Sequence, residues 1–252
     1  MDQPTPQSTP ASDTSFTTIL ANVFASPGEA FAGLMGNPVQ HLRWLIPFVI
    51  SALIVVGVVT LMFTNETFRE QMQTAQTAQM DKAVDEGRMT REQADMAIEQ
   101  MGSGGGTMFI VFGSIFGSIF VLLFYVLGAL FLWLGAKIVL KTGEGYGRHL
   151  EVYGIASWIG VLGGTITVVM MLALDSIYAT PSAALAVYDT FDPANTAHKW
   201  MRAFDVFGAW QAVVAGIGIS KVAGKDSTMG IAVAVVLWLV WVAISVSLGL
   251  AR

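Results

Sequence analysis

The sequence predicts an all-α integral membrane protein, a bundle of five transmembrane helices with its N-terminus in the cytoplasm and its C-terminus outside. Three observations carry that expectation. Of the 252 residues, 54% are hydrophobic and only 12% charged, where a soluble domain usually carries about a quarter. The mean hydropathy is +0.62. Five apolar runs, free of charge in their central parts, are each long enough to cross a ~30 Å hydrocarbon core. The net charge of −5 says little, because the acids gather in one loop. With no cysteine, disulfides and thiolate ligands are excluded and the redox compartment stays open.

Residues 1–15 are Pro/Ser/Thr-rich with almost no large apolar side chain. Such a segment buries too little surface to offset its ordering entropy, and it reads as a disordered tail. Residues 1–40 contain no Lys or Arg and no early apolar core, so the first span is expected to serve as the targeting signal.

Residues 16–42 read as an amphipathic interfacial segment. Ser26-Pro27-Gly28-Glu29 fits a capping box with proline at the first helical position. The short helix that follows is marginal in water. It gains stability either by lying in the headgroup plane with Phe31 inserted or by docking on the bundle. An anchor suits it better than a lid over a binding site.

Residues 43–250 hold the spans. Trp44–Phe63 is the first, with Arg43 and Trp44 at a headgroup boundary. Residues 64–106 form the one substantial hydrophilic loop, expected extracytoplasmic and helical, with a break at Gly87 and a Thr90-x-x-Gln93 capping box. Two decoys lie in it. DEGRMTREQ resembles a calcium loop, but Lys82, Val84 and Gln93 then fall where acidic ligands belong. Five methionines at helical spacing are packing residues before they are soft-metal ligands. Thr107–Val139 is best read as one long helix that tilts or projects into water, the alternative being two short spans split near Gly128. Leu150–Leu174, Ala203–Val222 and Gly230–Leu250 complete the set. Asp192-Pro193 looks like the cap of a helix that leads through Trp200 into the fourth span.

Orientation follows from Lys and Arg near span ends. Arg43 precedes the first span, Lys137, Lys141 and Arg148 crowd the second connection, and Lys221 and Lys225 the fourth. Arg69, Lys82, Arg88 and Arg91 are diluted among eight acids in the first loop, and Lys199 and Arg202 share the third with four aspartates. A cytoplasmic N-terminus satisfies all but Arg252.

Spanning helices associate by close packing, which small residues four apart permit. Gly208, Ala212, Gly216 and Ser220 form such a row on the fourth span, Ala156, Gly160 and Gly164 on the third, and Gly113 and Gly117 on the second. These rows are expected to bring spans two, three and four together, within one protomer before between protomers.

Chemistry is sparse. The central parts of the spans lack ionisable residues, and Asp205 comes closest, near the outer end of the fourth. It reads as an interfacial acid at a helix N-terminus, with a cation site as the sharper alternative. Hydrolysis needs a nucleophile, a base and an orienting group. His41, His149 and His198 are scattered at membrane boundaries, and no HExxH or metal-ligand spacing occurs. Gly143-Glu144-Gly145-Tyr146-Gly147 hints at a phosphate loop, yet it follows a membrane helix and lacks GK[ST]. Its glycines are expected to make a tight turn. No catalytic, cofactor or metal residues are therefore assigned, and the protein is expected not to be an enzyme. Lys141, Arg148 and His149 in the second connection, with Asp205 and Trp210, are the candidate partner or interface residues.

Taken together, the segment with Ser26-Pro27 and Phe31, followed by Pro38 and Pro47, then GEGYGRHLEVYGIAS, then FDVFGAWQAVVAGIGIS, resembles the YIP1 family in its prokaryotic branch. Tyr153-Gly154 looks like the family's tyrosine-glycine at the start of its third span, and Asp205, Phe207 and Trp210 resemble its acidic-aromatic start of the fourth. The resemblance implies a five-helix bundle with a cytoplasmic N-terminus. The DLYGP-type segment of the Rab-binding eukaryotic members is absent, so GTPase binding does not carry over. Three functions follow as expectations. The first is a non-enzymatic multi-pass protein of the cell (inner) membrane, one that organises or binds partners in the bilayer. Those partners would be a homo-oligomer or other membrane proteins, and not nucleic acid. The second is a small-solute transporter or channel-like protein with Asp205 at its mouth. An intramembrane enzyme is the third.

Overall fold

The computed structural model describes residues 15–102 and 106–249. The expected tail, apart from Ser15, and the middle of the Gly102–Gly106 linker lie outside these residues. Five helices are long and apolar enough to cross a membrane: α3 Leu42–Thr64, α6 Gly106–Gly135 with its continuation to Leu140, α7 Tyr146–Ala173, α9 Val206–Ala223 and α10 Ser227–Ser247. Ahead of them lie α1 Phe16–Ala25 and α2 Pro27–Ala30, with a 3-10 turn at Ala32–Leu34. The hydrophilic loop holds α4 Glu66–Asp85 and α5 Arg91–Gly102, and α8 Thr196–Ala203 precedes α9.

The helix starts follow their capping chemistry unevenly. Thr90 and Gln93 exchange both bonds of the expected capping box, Gln93 N–H to Thr90 Oγ1 at 3.2 Å and Thr90 N–H to Gln93 Oε1 at 3.0 Å. Gly87, at φ 68°, closes α4 in the left-handed region that glycine tolerates. The box at Ser26 does not form: its side chain makes no capping bond, and α2 is a single turn begun by Pro27. Asp192 likewise caps no helix. Its Oδ1 accepts the Ala194 N–H, and α8 starts only at Thr196, capped by Asn195. The chain does not run straight from Trp200 into the membrane either, because α8 ends at Phe204 and α9 begins afresh under Asp205.

The long second span is one continuous helix. It does not split at Gly128, which lies against the Tyr153 ring, where an added Cβ would meet Cε2 at 2.5 Å. Its last turn, Ala136–Leu140, widens to a π-helix and ends on Lys141 in the left-handed region at φ 55°. The expected glycine turn is thereby corrected. Gly143 and Gly145 have ordinary backbone angles, Gly147 is already inside α7, and a lysine makes the reversal. Bonds from Trp133 Nε1 to the Glu144 carbonyl at 3.2 Å and from Glu144 N–H to Thr142 Oγ1 at 3.2 Å hold the connection.

Helix α7 is the centre of the bundle, with α3 and α6 against one side, α9 against the other, and α10 packed on α9. The main core lies toward the end where α7 starts, around Val152, Ile155, Ile159, Val214 and Ile219. A smaller one, Phe68, Met171 and Ile177, ties the first loop to the third connection at the opposite end. There the Gln71 amide donates to the Asp175 carbonyl at 2.7 Å and accepts the Ile177 N–H at 3.0 Å.

The N-terminal segment docks on this bundle. Phe31 and Leu34 are fully buried, and Phe31 fills the space above Gly218, where a Cβ would meet its ring at 2.9 Å. Each such side chain contributes roughly 1.5–3 kcal/mol relative to exposure in water. Phe16 and Phe24 pack edge-on against Trp158 and Trp210. Of the two expected modes for Phe31, the structure takes docking and not headgroup insertion.

The small residues meet partners other than those expected. Gly216 faces the backbone of α10, with a Cβ 2.5 Å from Ile231 Cα, and Gly208 faces Trp238. Gly113 and Gly117 face Val59 and Val55 of α3, and Gly164 faces Ile54. Within the third-span row, Gly160 turns toward α9, against Gln211. Ala156 and Ala212 are buried. Spans two and three, and spans three and four, do touch as expected, though Gly113, Gly117, Gly208 and Gly216 themselves face α3 and α10.

Candidate functional site

A carboxylate at the start of the third span organises the basic end of the bundle. Glu151 is 0% exposed, one turn into α7, where its apolar part begins. An isolated buried carboxylate costs several kcal/mol of desolvation, so its partners decide whether it can exist. Arg43 Nη1 donates to Glu151 Oε1 at 2.7 Å, and Arg148 Nη1 donates to Oε2. Both arginines are themselves buried, at 4% and 6% exposure. The Gln40 N–H adds a third bond to Oε1 at 3.3 Å. Arg148 Nη2 meanwhile donates to the Asn37 carbonyl, and its Nε faces Glu144 Oε2 at 3.9 Å.

Local sequence sets up each member. Arg148 and Glu151 are three apart on α7 and so share a face. Pro47 has no N–H, which leaves the Arg43 carbonyl without its helix partner. That carbonyl turns to Gly154, whose missing side chain lets α3 approach so closely that a Cβ would lie 2.3 Å from Trp44 Cα. Glycine and proline together bring Arg43 within reach of α7. The cluster joins the N-terminal segment, α3 and α7 at one point.

The predicted interface residues separate here. Lys141 is exposed, but Arg148 and His149 are buried. His149 Nδ1 pairs with the Gly145 carbonyl at 3.0 Å, while its Nε2 and Arg148 Nε have no hydrogen-bond partner. Neither side chain is presented at the surface. Arg43, expected at a headgroup boundary, turns into the bundle and is paired there with Glu151. At the far end, Asp205 caps α9, accepting the Phe207 N–H at 3.1 Å and the Gly208 N–H at 3.3 Å. Trp210 lies under Phe24 of α1, away from any exposed mouth.

Sequence reasoning passed over Glu151. The available signal was an acid with Leu150 and Val152 on either side, three residues after an arginine, at the start of an apolar run. A second polar set joins the interior of the spans: Ser51 Oγ lies 3.3 Å from the Tyr125 hydroxyl, Tyr125 packs edge-on against Tyr153, and Gln211 Nε2 donates to Ser157 Oγ at 3.2 Å. Among the described residues, no group of three His, Cys, Asp or Glu side chains is placed to hold a metal ion.

The Yip1 domain matches residues 21–249, nearly the whole chain. The protein belongs to the Yip1 family. That span takes in the docked N-terminal segment from the second half of α1 onward, all five long helices, and every member of the Glu151 cluster. No curated protein and no solved structure matches the chain. Family and fold together make this a multi-pass membrane protein.

Proposed function

We propose that this Yip1-family protein has no enzymatic chemistry of its own and works by organising or binding partners within the bilayer of the cell (inner) membrane. The observation that carries the reading is the use of its buried charge. Both oxygens of Glu151 are occupied by arginines of the same chain, so the strongest electrostatic feature of the bundle holds the protein together and offers no free reacting group. Its basic end faces the cytoplasm, where Lys137, Lys141, Lys221 and Lys225 are the exposed cations. The small-residue rows serve as packing faces within the protomer.

The partners are other membrane proteins or further copies of this chain. Crosslinking in native membranes followed by mass spectrometry should return a reproducible partner set or a homo-oligomer. A strictly solitary protein would rule the reading out. A transport function rests on Asp205, whose carboxylate is engaged in capping α9. Flux in proteoliposomes that disappears in Asp205→Asn would favour that function instead.

A further inference from the structure

The fourth long helix is shorter than its lane in the bundle. Phe207, in its first turn, lies against Gly163 of α7, where a Cβ would meet Phe207 Cβ at 2.6 Å, and Gln211 lies against Gly160. From Gly163, α7 continues ten residues to Ala173, about 15 Å of helix at 1.5 Å per residue. The first span gives the same offset, since Gly164 lies 3.5 Å from Ile54 and α3 runs on ten residues to Thr64. Gly208 faces Trp238, nine residues short of the end of α10. Three neighbours thus extend well past the point where α9 begins.

Those extensions present apolar surface. Val169, Leu172, Val240, Ile244 and Leu248 are exposed apolar side chains on them, and the stretch of α3 beyond Ile54 is apolar apart from Thr60 and Thr64.

We propose that the connection between the third and fourth long helices, residues 174–205, is a re-entrant segment that dips into the outer half of the membrane and occupies the lane α9 leaves empty. Non-helical backbone persists at that depth only where protein or enclosed water satisfies its polar groups, and here the protein does so. The Val206 N–H donates to the Pro181 carbonyl at 3.2 Å, and Ser182 bridges to Asp205. Ser182 Oγ accepts the Ala184 N–H at 3.2 Å, and Gln71 of the first loop takes both the Asp175 carbonyl and the Ile177 N–H. Ile177, Ala179, Ala184 and Phe191 are buried against its neighbours, while the exposed Asp175, Asp189, Asp192 and Asn195 mark the parts that stay at the aqueous face. Asp205 is then an intramembrane carboxylate, held at the floor of the segment by the N-terminus of α9.

The chain has no cysteine, so single spin labels report depth without background. Val206→Cys and Leu172→Cys place labels on exposed positions of α9 and α7, and Val169→Cys gives an intermediate rung if either variant misfolds. In proteoliposomes, the ratio of collisions with oxygen to collisions with an aqueous nickel complex should place the Val206 label about 10 Å deeper than the Leu172 label. Equal depths, or a Val206 label reached freely by the nickel complex, would overturn the proposal.

Discussion

Arg43 and Glu151 form an ion pair at 2.7 Å across 108 residues of sequence, with both side chains essentially removed from solvent. The pair joins the first turn of α3 to the start of the apolar part of α7. Arg148 completes it from the other side, and the backbone of the N-terminal segment is attached at Asn37 and Gln40. Its role follows from its position: it fixes the register of two spanning helices and pins the segment that carries Phe31.

Removing one member should be costly. Glu151→Gln leaves two buried arginines facing a neutral amide, and breaking a buried pair in this way typically costs about 3–5 kcal/mol. Thermal denaturation in detergent should show a large loss of stability. Limited proteolysis should cut earlier between residues 25 and 41, as the Asn37 and Gln40 contacts loosen.

The close approach at Gly154 gives a second prediction. A methyl group there meets Trp44 Cα at 2.3 Å, against backbone that cannot rotate away, whereas one at Gly143 meets nothing within 4 Å. Gly154→Ala should lower the melting temperature in detergent, at the usual overpacking cost of about 1–3 kcal/mol or more, and Gly143→Ala should leave it unchanged. Gly216→Leu, aimed at the backbone of Ile231, should behave like Gly154→Ala.

The start of α10 predicts a pH dependence. Asp226, outside the spans, is held below the ordinary carboxylate range by its bonds to the Thr228 side chain and backbone N–H, the latter at 2.8 Å. A depressed folded-state value means stability that is present above the unfolded value and lost as pH falls through the folded one. Asp226→Asn keeps a capping oxygen and has no proton to bind. Melting curves below the ordinary aspartate range should therefore flatten in the variant relative to the native chain.

Orientation is tested by reporters. Fusions at Gly104 and at the C-terminus should report the same, non-cytoplasmic side. Opposite sides would mean that one of the five long helices does not cross.

The helices were readable in the sequence because uninterrupted apolar runs such as Trp44–Phe63 and Thr107–Val139 have no soluble alternative. Polarity also drew the loop hairpin correctly, with Gly87 and the Thr90–Gln93 box at its hinge. Lateral packing was harder to read. A row of small residues tells that something comes close but not which helix, and the row on the fourth span did not reveal that Gly216 faces α10. Buried charge was harder still. Arg43, Arg148 and Glu151 each sit within a few residues of a span end, where isolated charges normally reach water, and only the crossing of α3 over Gly154 turns them inward. The level at which α9 starts was also hidden, because only the contact of Phe207 with Gly163 shows it beginning ten residues short of the end of α7.

The decisive measurement separates a structural clasp from a functional centre. Replacing a buried ion-pair cluster as a whole by apolar residues of similar size is often neutral or stabilising, unlike breaking it singly. The triple variant Arg43→Met, Arg148→Met, Glu151→Leu should therefore fold with near-native melting in detergent, and crosslinking in native membranes should recover the same partners as the unaltered chain. A folded triple variant that loses those partners would contradict the account, because the charges would then be needed for function and not only for holding the bundle together.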